Sequence, residues 1–343
     1  PPRSTLFPYT TLFRSNGSII NANLGSGAVT ANGAVQLNGT SDAETFHVQT
    51  GTTTLGAAER LLNSADLTID ALATLILGGA EKIGSLFGAG VVNVTAGEFT
   101  VDDGNFSGVI AGTNPAYGLT KVSSGVLALS GASTYTGATE ITGGTLNLTG
   151  SLDSGNVHVS AGTILNDVNG GLHATSALSN DGTINLSADD AVAAFANTGT
   201  LNGSPYTLTA ATYALNNGSI INANLGSGVV TANGAVQLNG ASSAETFHVQ
   251  TGTTTLGAAE RLLDSTDLTV DALATLILGG TEKIGSLFGA GVVNVNAGEF
   301  TIDDGNFSGV VYGASTANGL TKVSSGALTD RKSTRLNSSH LGI

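Results

Sequence analysis

Adjacent carboxylates are the residues of this chain best suited by type to acid–base chemistry, and they occur as Asp102-Asp103, Asp189-Asp190 and Asp303-Asp304. Cleavage of a glycosidic bond needs two carboxyls on opposite sides of the scissile bond, about 5 to 9 Å apart. Consecutive residues of a strand point to opposite faces, so an adjacent pair is badly placed to address one sugar. Each pair also abuts a Gly or Ala turn, and no Lys or Arg stands near it in sequence to hold an acidic sugar; only a neighbouring coil can supply one. The expected role of these residues is a solvated turn. A polysaccharide lyase or hydrolase fragment is the alternative that they keep open.

The remaining chemically capable residues are more dispersed. His47 and His248 sit between Phe and Val, which turns them away from the apolar face and predicts exposed strand positions rather than metal ligands. His158 and His173 have no partner at ligand spacing. Gly25-Ser26-Gly27 and the Gly-Gly pairs do not open a helix bearing Lys-Ser/Thr, so they are not phosphate cradles. Gly-Gly-x-Gly-x-Asp nonapeptides, the signature of repeat-type calcium binding, do not occur. Ser and Thr are abundant but lack a His and Asp constellation, and read as ladder and turn residues. The expectation is a chain without catalytic, cofactor-binding or metal-binding residues, and therefore not an enzyme.

The elements that carry these residues are short strands. Phe46/Val48, Leu67/Ile69, Leu75/Leu77, Val92/Val94, Phe99/Val101, Leu127/Leu129, Leu146/Leu148, Val157/Val159 and Ile184/Leu186 each put two apolar side chains on one face. Strands of about three to six residues are separated by turn dipeptides such as Gly143-Gly144, Asp181-Gly182 and Asn202-Gly203. The best helix candidate is Gly56 to Ser64, with its counterpart from Gly257, and either reads equally as one turn inside a loop. With 49 Gly and 41% hydrophobic residues, alternation and low charge argue for order rather than disorder. Cys is absent, so disulfides and thiolate metal sites are excluded.

Residues 16–127 recur at 217–328 with a constant offset of 201, and only 16 of the 112 positions differ. Such a long period has no natural closure in a sandwich and does not fit propeller blades of about 40 to 50 residues. The expected fold is all-β: a right-handed parallel β-helix, or solenoid, with few or no helices and roughly 20 to 25 residues per coil. Six of the substitutions fall between Ile110 and Tyr117, which marks one loop as either a recognition site or an unconstrained corner.

The ends have a different character. Thr5 to Ser15 reads TLFPYTTLFRS and Asp330 to His340 reads DRKSTRLNSSH, both translations of common sequencing-adapter oligonucleotides. Residues 1–15 and 330–343 are accordingly expected to be adapter-derived and unstructured, leaving 16–329 as one β-helix fragment: copy one 16–127, intervening coils 128–216, copy two 217–328. That fragment keeps six basic against 24 acidic residues, a net charge of about −18, compared with −14 for the whole chain. So acidic a surface repels phosphate backbones and anionic lipid, which argues against nucleic acid as a partner and against membrane insertion. Nor does any apolar run approach the roughly 20 residues of a spanning helix.

Gly118 to Leu152 reads GLTKVSSGVLALSGASTYTGATEITGGTLNLTGSL. Its Gly-Leu-Thr-Lys opening, Leu-x-Leu-Ser-Gly strand, Tyr-Thr-Gly and closing Gly-Gly-Thr-Leu resemble the passenger-associated β-strand repeat of bacterial autotransporters and related adhesins. The opening half recurs at Gly319 to Leu328. The resemblance implies a structural or adhesive passenger of a Gram-negative bacterium, secreted or held at the cell surface by type V secretion. It further implies an outer-membrane β-barrel translocator as partner, and attachment to a host surface, to a surface polysaccharide or to a second copy. Tyr135, inside the motif, is expected to pack at a corner.

Overall fold

All nine apolar pairs picked out by the alternation are buried in the computed structural model, which describes residues 11–13, 17–313 and 318–330. The residue between the two members of each pair stays partly exposed, as a strand with one wet and one dry face requires. The described regular structure is entirely β-strand. Gly56 to Ser64 is a loop and not a helix. Glu59 there adopts φ 50°, and the N–H groups of Arg60 and Leu61 go to the Glu81 side chain instead of to carbonyls one helical turn back.

The chain divides into two compact units after Ala177. In the first, three parallel ladders stack successive coils. One runs through Val29–Ala31, Phe46–Val48, Leu67–Ile69, Leu86–Gly88, Gly104–Phe106, Leu127–Leu129, Leu146–Leu148 and Leu165–Asp167. The next joins Val35–Leu37, Thr53–Leu55, Leu75–Leu77, Val92–Val94 and Ile110–Ala111. A third begins at Glu81–Ile83 and continues through Phe99–Val101, Leu119–Lys121, Thr139–Ile141 and Val157–Val159. The second unit repeats this plan. Val229–Ala232, Thr246–Val249, Asp267–Val270 and Ser286–Gly289 form one ladder; Val236–Leu238, Thr254–Leu256, Leu276–Leu278 and Val293–Val295 form another; Glu282–Ile284, Phe300–Ile302 and Leu320–Lys322 form the third. Each unit is thus a parallel β-solenoid.

In-register stacking turns the apolar pairs into continuous columns, for example Phe46 on Leu67 on Leu86, and Leu127 on Leu146 on Leu165. A lone coil has nothing to cover that face, and stacking removes it from water at about 25 cal/mol per Å². The step between coils runs from 17 residues, between Asn21 and Asn38, to 23, between Ile110 and Ser133. Many steps are therefore shorter than the expected 20 to 25. The reason is tight corners: only two residues separate Glu81–Gly88 from Val91–Val94.

Corner geometry explains one glycine in detail. Gly51 has φ +72°, and a Cβ there would stand 2.6 Å from the Gly33 carbonyl carbon of the preceding coil; its counterpart Gly252 has φ +71° and a 2.5 Å approach to Gly234. At the N-terminal side, Thr11–Phe13 pairs in parallel with Val29–Ala31, although it lies within the stretch expected to be unstructured. Ladder pairing asks only for an extended backbone with free N–H and C=O groups, which almost any sequence supplies. Leu328–Asp330 likewise carries the ladder to the first residue of the other expected adapter segment. The rest of 1–15 and 331–343 lies outside the described residues.

Candidate functional site

The paired carboxylates are separated by the ladder and given different partners. Asp102 lies 3.3 Å from Lys82 Nζ of the preceding coil, the neighbouring-coil cation that the sequence left open. Asp103 packs over Gly125, where a Cβ would come within 2.6 Å of its Oδ2. In the second copy Asp304 accepts from Ser286 Oγ at 2.7 Å, and Lys283 turns to Asp264 at 3.2 Å. Position 264 corresponds to Asn63, so the lysine follows the carboxylate that the substitution introduced. Asp189 accepts the N–H of Thr207, 18 residues on at the start of a strand, and Asp190 the N–H of its neighbour Ala191.

His47, His158 and His248 are partly exposed on strand faces, and each lies beside a carboxylate. His47 Nε2 is 3.0 Å from Asp70, His248 Nε2 2.9 Å from Asp271, and His158 Nδ1 2.9 Å from Glu140. His173 Nδ1 meets Thr175 Oγ1 within its own turn. Among the described residues no group of three or more His, Asp or Glu side chains is gathered around a point that a metal ion can occupy.

Two glutamates that spacing alone did not single out have the most perturbed carboxyls among the described residues. Glu81 and Glu282 are each 1% exposed. Glu81 Oε2 accepts the Arg60 N–H at 2.8 Å and Oε1 the Leu61 N–H at 2.9 Å; Glu282 holds Arg261 and Leu262 in the same way, at 2.9 Å each. Burial pushes both carboxyls up from 4.5 to about 7, against the lowering effect of the backbone bonds. The signal was present in the sequence as phase: Glu81 and Glu282 stand two residues before Ile83 and Ile284, on the inward side of the same strands.

Lys121 is buried by the same logic, in phase with Leu119. Its Nζ donates to the carbonyls of Val122, Ser123 (2.9 Å) and Gly143 (3.0 Å), the last on the following coil. Three acceptors fill the capacity of an ammonium and fix the corner at Ser123, which has φ 62°. Burial lowers the lysine pKa, opposed by the charges of Asp103 and Asp102. Upstream, Glu98 receives the Gly118 N–H and the Thr120 hydroxyl. Downstream, Tyr135 is fully buried with its hydroxyl 2.6 Å from Thr139 Oγ1, the corner packing expected of it, and burial raises its pKa.

Residues 119–148 match the passenger-associated-transport-repeat family. The match covers less than a tenth of the chain. Within this repeat, Leu119–Lys121 and Val126–Leu129 form part of one coil, and Thr139–Ile141 and Thr145–Leu148 are their in-register partners in the next. The Gly-Leu-Thr-Lys opening is therefore a strand leading into the corner at Ser123, where Lys121 staples two coils of the repeat. No curated protein matches the chain. No solved structure matches it.

The variable loop between Ile110 and Tyr117 follows the strand Val109–Ala111, and residues 113–116 are exposed. Asn114 shapes it by accepting the Ala116 N–H through its side chain and the Tyr117 N–H through its carbonyl. Of the counterpart in the second copy, residues 314–317 lie outside the described residues. Asn318, which replaces Tyr117, donates to the carbonyls of Val295 and Asn296.

Proposed function

We propose that this chain belongs to the passenger region of an autotransporter-type protein of a Gram-negative bacterium, serving as a structural and adhesive scaffold that is secreted or displayed at the cell surface. The observation that carries this reading is the transport repeat at 119–148, folded as two stacked coils of a parallel ladder. Stacked coils fold one after another as chain is supplied, and a chain without Cys cannot lock a disulfide before it has passed a pore. Passage through an outer-membrane β-barrel, with folding on the far side biasing movement outward, fits both properties.

Adhesion through side-chain faces, and not chemistry, is the activity this reading assigns. The outward rows offer Thr, Asn, His and carboxylate groups at the ladder spacing, while Asp102 is engaged by Lys82, Asp103 by packing over Gly125, Asp304 by Ser286, and Asp189 and Asp190 by backbone N–H groups. A host surface, a surface polysaccharide or a second copy are the ligands proposed, with the loop at 113–116 as the place to look for recognition. The experiment is removal of residues 118–152 from the full-length protein. Reduced surface display supports the export role; undiminished display contradicts it. Cell attachment retained by a displayed protein that lacks the region 16–329 contradicts the adhesive role.

A further inference from the structure

Glu81 is the meeting point of three successive coils. Its carboxylate grips the N–H groups of Arg60 and Leu61; the Arg60 carbonyl receives the Ser41 N–H at 2.7 Å; and Arg60 Nη1 donates to the Asn38 carbonyl at 2.7 Å. The second copy builds the same assembly from Glu282, Arg261, Leu262, Ser242 and Asn239. Each oxygen of each carboxylate accepts from one N–H donor. Protonation makes one of those oxygens a hydroxyl, which keeps only a weaker acceptor capacity toward the N–H that it faces.

We infer that Glu81 and Glu282 make the loops 56–64 and 257–265 proton-controlled latches, closed while the carboxylate is charged and slackened when it is protonated. The charged groups around Glu81 do not cancel its burial. Glu59 adds a repelling charge and Arg60 an attracting one, but the Arg60 guanidinium is directed to the carbonyls of Ala58 and Asn38. From the following coil, Glu98 presents its backbone carbonyl to the Glu81 N–H, with its carboxylate turned to Gly118 and Thr120. Lys82, next on the strand, faces outward to Asp102. Around Glu282 the corresponding groups are Glu260, Arg261, Glu299 and Lys283, the last bound to Asp264. Burial places proton exchange at both carboxyls near neutrality, where surroundings change, and not in the acid range of exposed glutamates.

The test is a nuclear magnetic resonance titration of the full chain with carbon-13 in its Glu carboxyls, between about pH 4 and 9. Two carboxyl signals are expected to titrate near 7, with the Arg60, Leu61, Arg261 and Leu262 amide signals moving at the same midpoints. Through-space contacts to the Leu61 and Leu262 amides assign the two signals without any substitution. Glu81→Gln and Glu282→Gln, made singly, should each remove one signal and leave the corresponding amides independent of pH. Carboxyls that titrate in the ordinary glutamate range overturn the inference, and so do near-neutral carboxyls whose partner amides do not move with them.

Discussion

Glu81 Oε2 accepts the Arg60 backbone N–H at 2.8 Å while the Arg60 guanidinium is turned to the carbonyls of Ala58 and Asn38. A carboxylate and a guanidinium stand side by side, yet the two side chains do not pair: each is spent on backbone groups of a corner. Among the described residues Arg261 with Glu282, and Lys121, spend their charges on backbone groups in the same way.

The first prediction concerns pH. Burial costs the charged Glu81 carboxyl more than its two N–H bonds return, which raises it from 4.5 to about 7; the closed, charged latch is therefore the less stable form, and the stability the site contributes is fully present below 4.5 and is lost as pH rises through about 7. At about 1.4 kcal/mol per unit, the loss is on the order of 3 kcal/mol per site. Glu81→Gln lacks this titration. Between about pH 4.5 and 8.5, urea unfolding should therefore show the parent losing about that much relative to the variant; a constant difference contradicts the assignment.

Lys121→Met should destabilise the chain by about 1 to 3 kcal/mol, because three corner carbonyls lose a charged donor that joins two coils. Lys322, the counterpart, is exposed, so Lys322→Met should stay within about 0.5 kcal/mol. Similar losses for the two variants in urea midpoints would show that Lys121 is not the staple described.

Substitution of two glycines separates steric from conformational strain. Gly162 has φ +79° with nothing within 4 Å of an added Cβ, so Gly162→Ala should cost about 1 kcal/mol. Gly51→Ala meets the Gly33 backbone as well, and should cost at least about 1 kcal/mol more. Equal thermal shifts for the two would contradict the close coil contact at Gly51.

The apolar residues divide in the same way. Phe106→Ala empties a buried position in the ladder and should cost about 3 to 5 kcal/mol. Leu72 and Leu273, 87% and 86% exposed at equivalent corners, should tolerate Ala within about 0.5 kcal/mol. Calorimetry of the three variants checks the inside and outside assignment directly.

Phase made the ladders legible in the sequence. Phe46/Val48 or Leu146/Leu148 admits only one inward face, and the 201-residue echo leaves few architectures that stack such faces without closure. The same phase rule, applied to charged residues, points inward at Glu81 and Lys121, but polarity pulls the reading the other way until the waiting N–H and carbonyl groups are seen. Coil length was less legible, because corners of two residues such as Ala89-Gly90 and of several residues at 112–118 leave similar Gly-rich strings. The Lys82–Asp102 contact was not legible at all, since it joins residues one coil apart whose register depends on every corner between them.

Cross-linking reads out whether the transport repeat lies in the ladder with each coil directly on the last. The chain has no Cys, so introduced pairs report alone. Ala128, Asn147 and Asn166 are successive outward partners on one ladder, and Asn166 donates to Asn147 at 2.7 Å. Neighbouring strands lie about 4.8 Å apart, within disulfide reach, and alternate strands about twice that, beyond the limit of about 7 Å. Under mild oxidation, Ala128→Cys with Asn147→Cys, and Asn147→Cys with Asn166→Cys, should form disulfides, while Ala128→Cys with Asn166→Cys should not. A disulfide in the third pair, or none in the first two, contradicts the in-register stacking of these coils.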